Sequence, residues 1–303
     1  HLSSPQKFNI SYEFYNSYSL PWGQRSGAYI FKPLYADEAS KPYNTFNHSQ
    51  VFEGKLITQI KLFGDEVDTT LTVNQLNDFI KVESHLKGVP NTWIGKEVIV
   101  KLETNIQNEG VFYTDSMGLE MQERKLNYRP TWELDTRQIV AANYYPVNHG
   151  ITIKDEDLTL ELLNDRSQGG SSLSNGSVEL MIQRRIFRDD GRGVHEELNE
   201  IDFTSEDFRG LAVDTTHFFR LYKNSEHSSV EENSRIMQRE IDNPLTYIFG
   251  FKESEEELRD DILASFNQII SLPAQVKAVF LPQEDGSIFA RFENVLDLIS
   301  SSE

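Results

Sequence analysis

The sequence predicts a mainly β fold, an antiparallel multi-sheet β-sandwich with one clear helix near residues 254–269. Short segments in which apolar and polar residues alternate recur along the chain, most clearly at residues 158–162 and 178–182. Gly, Pro and Asn residues separate these segments, and this punctuation favours antiparallel strands over parallel βαβ units. One segment, residues 254–269, instead has the periodicity of a helix.

The strand candidates follow one another from the N-terminus. They are residues 10–15, 57–63, 68–73, 98–102, 158–162, 178–182, 218–222, 246–251, 276–281 and 288–292. Alternation places one face of such a strand on a core and the other in solvent. Asn175-Gly176 predicts a type I′ hairpin turn before Val178.

The predicted helix begins with a capping box, because Ser254 can cap the first turn and Glu257 follows three residues later. Its apolar face comprises Leu258, Ile262, Phe266 and Ile269. Residues 229–240 form a second helix candidate with poor periodicity. We divide the chain into a β-sandwich region, residues 1–200, and a continuing β region with the helix and late strands, residues 201–303. Charged residues interrupt the strand pattern between 193 and 208.

Composition excludes several classes of function. The formal net charge of −19 disfavours a nucleic-acid partner, because phosphates would be repelled. The chain has no Cys, so disulfides, thiolate zinc sites and cysteine nucleophiles are excluded. No apolar run approaches the roughly 20 residues that span a bilayer. The chain starts at His1 without an initiator Met or a signal core, so we expect that processing or the choice of fragment removed a preceding segment.

Three sequons provide candidate glycosylation sites at Asn9, Asn47 and Asn175. Each has the Asn-x-Ser pattern, which also arises by chance in a chain of this composition.

Catalytic chemistry is hard to place from the residues alone. The 48 acidic residues offer many accidental pairs, and Asp189-Asp190 is expected to be solvated or paired with Arg192. None of the seven His residues has His-x-Asp, His-x-His or His-x-x-x-His spacing, so no local zinc pair is visible. The Trp residues could stack on sugar rings, although a Trp in a β protein is more often part of the core. They are Trp22, Trp93 and Trp132.

Several motifs occur in a fixed order along the chain. They occupy residues 26–33 (SGAYIFKP), 93–98 (WIGKEV), 112–116 (FYTDS), 128–132 (YRPTW), 143–148 (NYYPVN), 162–173 (LLNDRSQGGSSL), 181–185 (MIQRR) and 289–294 (FARFEN). Together they resemble the post-catalytic β region of family 38 glycoside hydrolases, the class II α-mannosidases, especially the lysosomal or vacuolar branch. Ile94 is an insertion relative to the family's WGKEV segment.

The resemblance implies a function for a larger enzyme. A family 38 enzyme removes α-linked mannose from glycans by a retaining mechanism with a bound zinc ion. Its nucleophile and zinc site lie in an N-terminal domain that precedes the region matched here. We therefore expect no catalytic residue and no zinc ligand in this chain, which would pack on the N-terminal catalytic domain. Its compartment would be lysosomal, vacuolar or secreted; whether it is a homo-oligomer stays open.

The resemblance also names substrate-binding candidates. Tyr29 matches the family tyrosine that reaches the sugar pocket, with a half-buried strand aromatic as the structural alternative. Arg184 and Arg185 match the family's paired arginines, and strand alternation turns them to opposite faces. The sequence leaves open which one faces the site, and a salt bridge at the domain junction is the alternative role. Asp165 and Arg166 are expected to form an ion pair that fixes the glycine-rich loop.

A competing hypothesis is a stand-alone β-sandwich module that binds carbohydrate without catalysis. It predicts a stable monomer that binds mannose-type glycans unaided.

Overall fold

The computed structural model describes residues 7–118, 120–205, 207–244, 272–273 and 276–295, with side chains described for all of these except 226–233. The fold is mainly β, as predicted. The strands are β1 (Asn9–Asn16), β2 (Lys41–Pro42), β3 (Phe46–Glu53), β4 (Ile57–Gly64), β5 (Val67–Asn74), β6 (Ile80–Leu86), β7 (Lys96–Glu103), β8 (Val111–Ser116), β9 (Glu120–Lys125), β10 (Tyr145–Val147), β11 (Gly150–Lys154), β12 (Leu158–Asn164), β13 (Gln168–Ser171), β14 (Ser177–Arg185), β15 (Val213–Lys223), β16 (Val276–Pro282) and β17 (Ile288–Asn294). The helices are α1 (Ile139–Ala142) and α2 (His227–Asp242). Short 3-10 turns precede them at Thr136–Gln138 and Asn224–Glu226.

The strands form three antiparallel sheets. The six-stranded sheet has the order β10-β13-β14-β7-β1-β2, and the nine-stranded sheet has the order β3-β4-β5-β6-β15-β12-β11-β8-β9. β16 and β17 pair as a separate hairpin. Neighbouring strands in these sheets run antiparallel throughout the described pairings, which matches the predicted fold class.

A continuous core lies between the two larger sheets. The six-stranded sheet contributes Tyr12, Val100 and Leu180, and the nine-stranded sheet contributes Val82 and Leu162. Because side chains alternate across a strand, each of these sheets gives one whole row of apolar residues to this core. The predicted sandwich is therefore confirmed.

The opposite face of the six-stranded sheet is also covered. Tyr15 and Ile99 pack there against Val140 of α1, and Phe31 and Tyr144 pack at the margin of this cluster. We call this side of the sheet the outer face. The segment between β1 and β2 and the segment before β10 thus lie over a sheet surface that a two-layer sandwich would leave in solvent.

The chain separates by internal packing into two compact units, residues 1–225 and 226–303. In the first unit, β15 lies between β6 and β12, so the sandwich takes in residues beyond the predicted division at residue 200. In the second unit, α2 confirms the helix candidate at 229–240. The predicted helix at 254–269 and the strand candidate at 246–251 lie outside the described residues.

The turn between β13 and β14 is not type I′, because Gly176 has a φ of 72° whereas Asn175 is not left-handed, and type I′ needs a positive φ at both positions.

Within the described part of the chain, neither helix has the length and apolarity needed to cross a bilayer.

Candidate functional site

An open cavity of about 620 Å³ lies on the outer face of the six-stranded sheet. Its walls include Tyr29, Phe31, Tyr144, Gln168 and Arg184. The structure therefore brings together two of the three predicted substrate-binding residues, Tyr29 and Arg184. The cavity presents aromatic faces beside amide and hydroxyl groups, a combination that suits a ring with several hydroxyls.

Tyr29 projects into this cavity from a tight turn. Residues 26–30, which we call the Tyr29 turn, are closed by a hydrogen bond from Gly27 N to Ile30 O at 2.9 Å. The Tyr29 side chain is 66% exposed, and within the described residues the hydrogen bonds of Tyr29 are made by its backbone. Its phenol hydroxyl is therefore available to a ligand.

Arg184 lies beside the Tyr29 turn, and most of its guanidinium N–H groups donate to protein acceptors. Its guanidinium forms an ion pair with the fully buried Glu97. Arg184 Nη2 also donates to Ile30 O at 2.8 Å, and Nη1 lies 3.4 Å from Ala28 O. Ser26 donates its hydroxyl to the same Glu97 carboxylate. Arg184 therefore holds the Tyr29 turn against β7, whatever it does for a ligand.

Arg185 is placed elsewhere. It is 2% exposed, and its Nη1 donates to Val89 O at 2.7 Å while Nη2 donates to Phe208 O at 3.3 Å. Arg185 is not among the residues that line the cavity. The structure thus answers the orientation question that the sequence left open: Arg184 is the member of the pair that faces the cavity.

Asp190 binds the Tyr29 turn, although the sequence predicts that it is solvated or paired with Arg192. It is 6% exposed rather than solvated. Its Oδ2 accepts hydrogen bonds from Tyr29 N at 2.8 Å and Ile30 N at 3.1 Å, and its Oδ1 accepts one from Arg192 N at 3.0 Å. The expected partner was the Arg192 guanidinium, but that group binds Gln24 Oε1 instead. Burial alone would raise the pKa of the Asp190 carboxyl, but the amide donors reverse this and lower it.

A buried acid lies under the aromatic wall. Glu179 Oε1 accepts a hydrogen bond from Tyr15 at 2.9 Å and another from Tyr144, whose ring packs 4.6 Å from that of Phe31. Burial raises the pKa of the Glu179 carboxyl to about 7, and the two phenol donors oppose that rise. Sequence reasoning missed this cluster because it joins two strands, β1 and β14, and two connecting segments.

The described lining of the cavity combines aromatic and polar side chains. None of the described residues that line it is Asp or Glu, whereas a glycosidase needs two carboxylates flanking the scissile bond. Among the described residues, no group of three or more His, Cys, Asp or Glu side chains is arranged to hold a metal ion. The side chains present can donate hydrogen bonds and offer ring faces to a sugar.

The glycine-rich loop is fixed as predicted. Arg166 forms a bidentate ion pair with Asp165 through Nε at 3.0 Å and Nη2 at 2.9 Å. Asp165 Oδ2 also accepts a hydrogen bond from Thr216 N at 2.9 Å. The pair therefore joins this loop to β15 and has a structural role.

The expectation that the Trp residues belong to the core is wrong. Trp22, Trp93 and Trp132 are 67%, 99% and 58% exposed. They lie in connecting segments rather than in strands, so the alternation that predicts burial does not apply to them.

The sequon asparagines are all on the surface. Asn9, Asn47 and Asn175 are exposed, and their side-chain amides contact Glu103, Asp65 and Gln107, respectively.

Comparisons of the sequence with known proteins point to one family. Residues 2–192 match the family model described as the C-terminal domain of glycosyl hydrolases family 38. The lysosomal α-mannosidase of Homo sapiens is 42% identical over 180 residues, which is 58% of this chain and 18% of that protein. An α-mannosidase of Arabidopsis thaliana is 33% identical over 292 residues, which is 92% of this chain and 28% of that protein.

The fold has a counterpart among solved structures. The crystal structure of an α-mannosidase from Enterococcus faecalis V583 matches 76% of this chain and 27% of its own, with a TM-score of 0.55 and 11% identity. This likeness concerns the fold alone. The chain spans less than a third of the length of the curated relatives that it matches.

Proposed function

Because the chain belongs to the family of glycosyl hydrolase family 38 C-terminal domains, we propose that it forms the C-terminal part of an α-mannosidase. The intact enzyme would hydrolyse α-linked mannose from glycans. Relatives named α-mannosidase, which match over 58% and 92% of this chain, support this proposal. Since each relative is more than three times as long as its matched segment, the activity belongs to the longer protein.

This chain would complete one wall of the sugar pocket. The observation that carries this assignment is the exposed phenol of Tyr29, which projects into a cavity beside Arg184 with no acid in the described lining. Tyr29 would donate a hydrogen bond from its hydroxyl to a sugar oxygen, and its ring would limit the pocket. Arg184 would add positive charge next to it, and Arg185 would act only in the core.

The catalytic carboxylates and the zinc ion would belong to the N-terminal domain. A retaining glycosidase needs a nucleophile and an acid/base about 5 to 5.5 Å apart, and the described lining of the cavity has no acid from which to build that pair. The described residues also fail as a zinc site, since they contain no cluster of suitable ligands. We propose that this chain contributes substrate contact to the whole enzyme.

The partner would be that same N-terminal domain. The segment between β1 and β2 carries the Tyr29 turn and also exposes Leu20, Trp22 and Tyr35. Apolar surface of this kind marks an interaction site, and aromatic residues are enriched at interfaces. A permanent interface between two parts of one enzyme typically buries more than roughly 2,000 Å². The names of the lysosomal relatives support a lysosomal, vacuolar or secreted location.

The alternative is a carbohydrate-binding module without catalysis. The observation that favours it is the exposure of all three Trp side chains, each of which could stack on a pyranose ring. The two functions differ in one respect: the module binds glycan alone, whereas the α-mannosidase part depends on its partner.

Native purification with mass analysis, zinc determination and an α-mannosidase assay tests the proposal. A co-purifying N-terminal polypeptide, or one continuous longer chain, with zinc and activity supports it. A lone, stable, inactive chain that binds mannose-type glycans supports the module instead.

Kinetics of Tyr29→Phe in the full-length protein test the site. Loss of one neutral hydrogen bond of about 0.5 to 1.5 kcal/mol predicts a fall in kcat/KM of about 2- to 10-fold. Tyr128→Phe is the matched control, because Tyr128 is also more than half exposed but does not line the cavity. Equal kinetics for both variants would remove Tyr29 from the site.

A further inference from the structure

The carboxylate of Asp190 is built into the Tyr29 turn. It accepts the backbone N–H groups of two consecutive turn residues, Tyr29 and Ile30, through the same oxygen. Its other oxygen accepts Arg192 N. Hydrogen bonds to a charged acceptor are roughly twice as strong as neutral ones, so this single side chain fixes the backbone on both sides of the Tyr29 Cα atom.

Asp190 also packs tightly against Gly27 of the Tyr29 turn. A Cβ atom added at Gly27 would lie 2.6 Å from Asp190 Cβ and 2.7 Å from Asp190 N, so only glycine allows the turn to approach this closely. Gln24 donates its amide to Asp190 O at 2.8 Å and accepts the Arg192 guanidinium. The segment from 189 to 193 is thereby joined to the segment that carries Tyr29.

The side chain of Tyr29 has no comparable support. It is two-thirds exposed, and its hydrogen bonds within the described residues come from the backbone. The position of its hydroxyl therefore depends on where the turn holds its Cα atom. A displacement of about 1 Å in a positioning group can cost about 100-fold in rate.

We infer that Asp190 is the positioning residue for Tyr29: its buried carboxylate fixes the Tyr29 turn so that the phenol hydroxyl meets the substrate. This inference rests on the proposed function for the role of Tyr29. Asp190 itself does not line the cavity, so it acts through Tyr29 and does not contact the sugar.

The experiment is a double-mutant cycle in the full-length protein. Asp190→Ala should lower kcat/KM by about 2- to 10-fold when Tyr29 is present, because it can cost no more than the hydrogen bond that the Tyr29 hydroxyl makes. In a Tyr29→Ala background the same substitution should have less than about a 2-fold effect, because no side chain is left to position. Asp189→Ala is the matched control: it removes a neighbouring carboxylate that binds Gly191 N and has no bond to the turn. It should keep the parent kcat/KM.

Hydrogen exchange supplies a readout that does not depend on activity. In Asp190→Asn the peptide that spans residues 26–31 should exchange faster than in the parent, while peptides from β7 and β14 keep their protection. If Asp190→Ala does not fold, Asp190→Asn takes its place in the double-mutant cycle. Unchanged exchange in the 26–31 peptide would overturn the inference.

The remaining outcomes separate the two proposals. Equal losses from Asp190→Ala with and without Tyr29 would make Asp190 a general structural residue and overturn the inference while leaving the role of Tyr29 intact. If Tyr29→Ala itself leaves kcat/KM unchanged, the assignment of Tyr29 to the sugar pocket fails. The exchange result then still reports whether Asp190 holds the turn.

Discussion

Arg184 and Arg185 are neighbours in β14, yet their guanidinium groups contact opposite sides of the sheet. Arg184 Nη2 donates to Ile30 O at 2.8 Å on the outer face, whereas Arg185 Nη1 donates to Val89 O at 2.7 Å on the side of the inter-sheet core. Arg184 therefore contacts the cavity side and Arg185 the interior. We expect substitution of Arg184 to affect activity and substitution of Arg185 to affect stability.

Substitution by Met should separate these two roles in the full-length protein. Arg185→Met removes the bonds to Val89 O, which keeps a bond from Gly210 N, and to Phe208 O. Loss of these bonds should cost about 1 to 3 kcal/mol in total and lower the melting temperature. Below that temperature its kcat/KM should equal that of the parent. Arg184→Met should lower kcat/KM at all temperatures, because the turn loses its donors and Glu97 is left unpaired. Parent-like kinetics for Arg184→Met would contradict its assignment to the site.

Glu179 should make the protein more stable in acid. Its pKa is raised by burial to about 7 from an ordinary 4.5, so the folded state binds a proton that the unfolded state has released. This stability is fully present below about pH 4.5 and is lost as the pH rises through 7. A shift of this size corresponds to about 3 kcal/mol. Glu179→Gln should therefore melt above the parent at pH 7.5 and close to it at pH 4.5.

His217 should act in the opposite direction. Burial lowers its pKa from 6.5 to about 4, so stability is present above pH 6.5 and is lost as the pH falls through 4. Between about pH 4.5 and 6.5 this loss offsets the gain from Glu179. We expect the parent to melt at a nearly constant temperature in that range. His217→Asn should melt higher as the pH falls, and Glu179→Gln should melt lower. Parallel pH profiles for all three proteins would contradict both assignments.

Much of the fold is readable from the sequence because alternation is a local property. Residues 158–162 and 178–182 alternate, and both lie within strands. β3 was missed because this exposed edge strand, FNHSQVFE, has no apolar alternation. β13 was missed because its glycines become a strand only through pairing with β10 and β14.

The site is less readable because it is assembled from distant segments. Tyr29 and Arg184 were found through motifs, but the bond between Asp190 and Tyr29 joins residues 161 positions apart. Glu179 meets Tyr15 only after β14 and β1 have both paired with β7. No local sequence pattern predicts how β1 and β14 align on β7. The Gly27 position gives the one sequence hint, since a glycine beside a tight turn often marks close backbone approach.

Asp115 should be a strong determinant of stability. Its Oδ1 accepts the amide groups of Asn148, His149 and Gly150 at 2.8, 2.8 and 3.1 Å. Burial alone would raise its pKa, but these donors and the His149 side chain lower it to about 2. The stability is therefore present above the ordinary pKa of 3.8 and is lost as the pH falls through 2. Asp115→Asn should lower the unfolding free energy by about 2 to 4 kcal/mol at pH 6. The exposed Asp37 provides the control, and an equal effect of Asp37→Asn would remove the special role of Asp115.

Glycosylation at Asn47 should protect an exposed sheet edge. Asn47 lies in β3, the edge strand of the nine-stranded sheet, where Val51 and Phe52 are more than half exposed. Unpaired edge strands with apolar residues invite pairing with another chain. We expect full-length protein from a secretory host to carry a glycan at this position, detected by mass spectrometry of the peptide before and after glycan release. Asn47→Gln should then self-associate more in light scattering, whereas Asn175→Gln, which alters a turn away from this edge, should not. An unmodified Asn47 peptide would count against this role and would weaken the proposed lysosomal, vacuolar or secreted location.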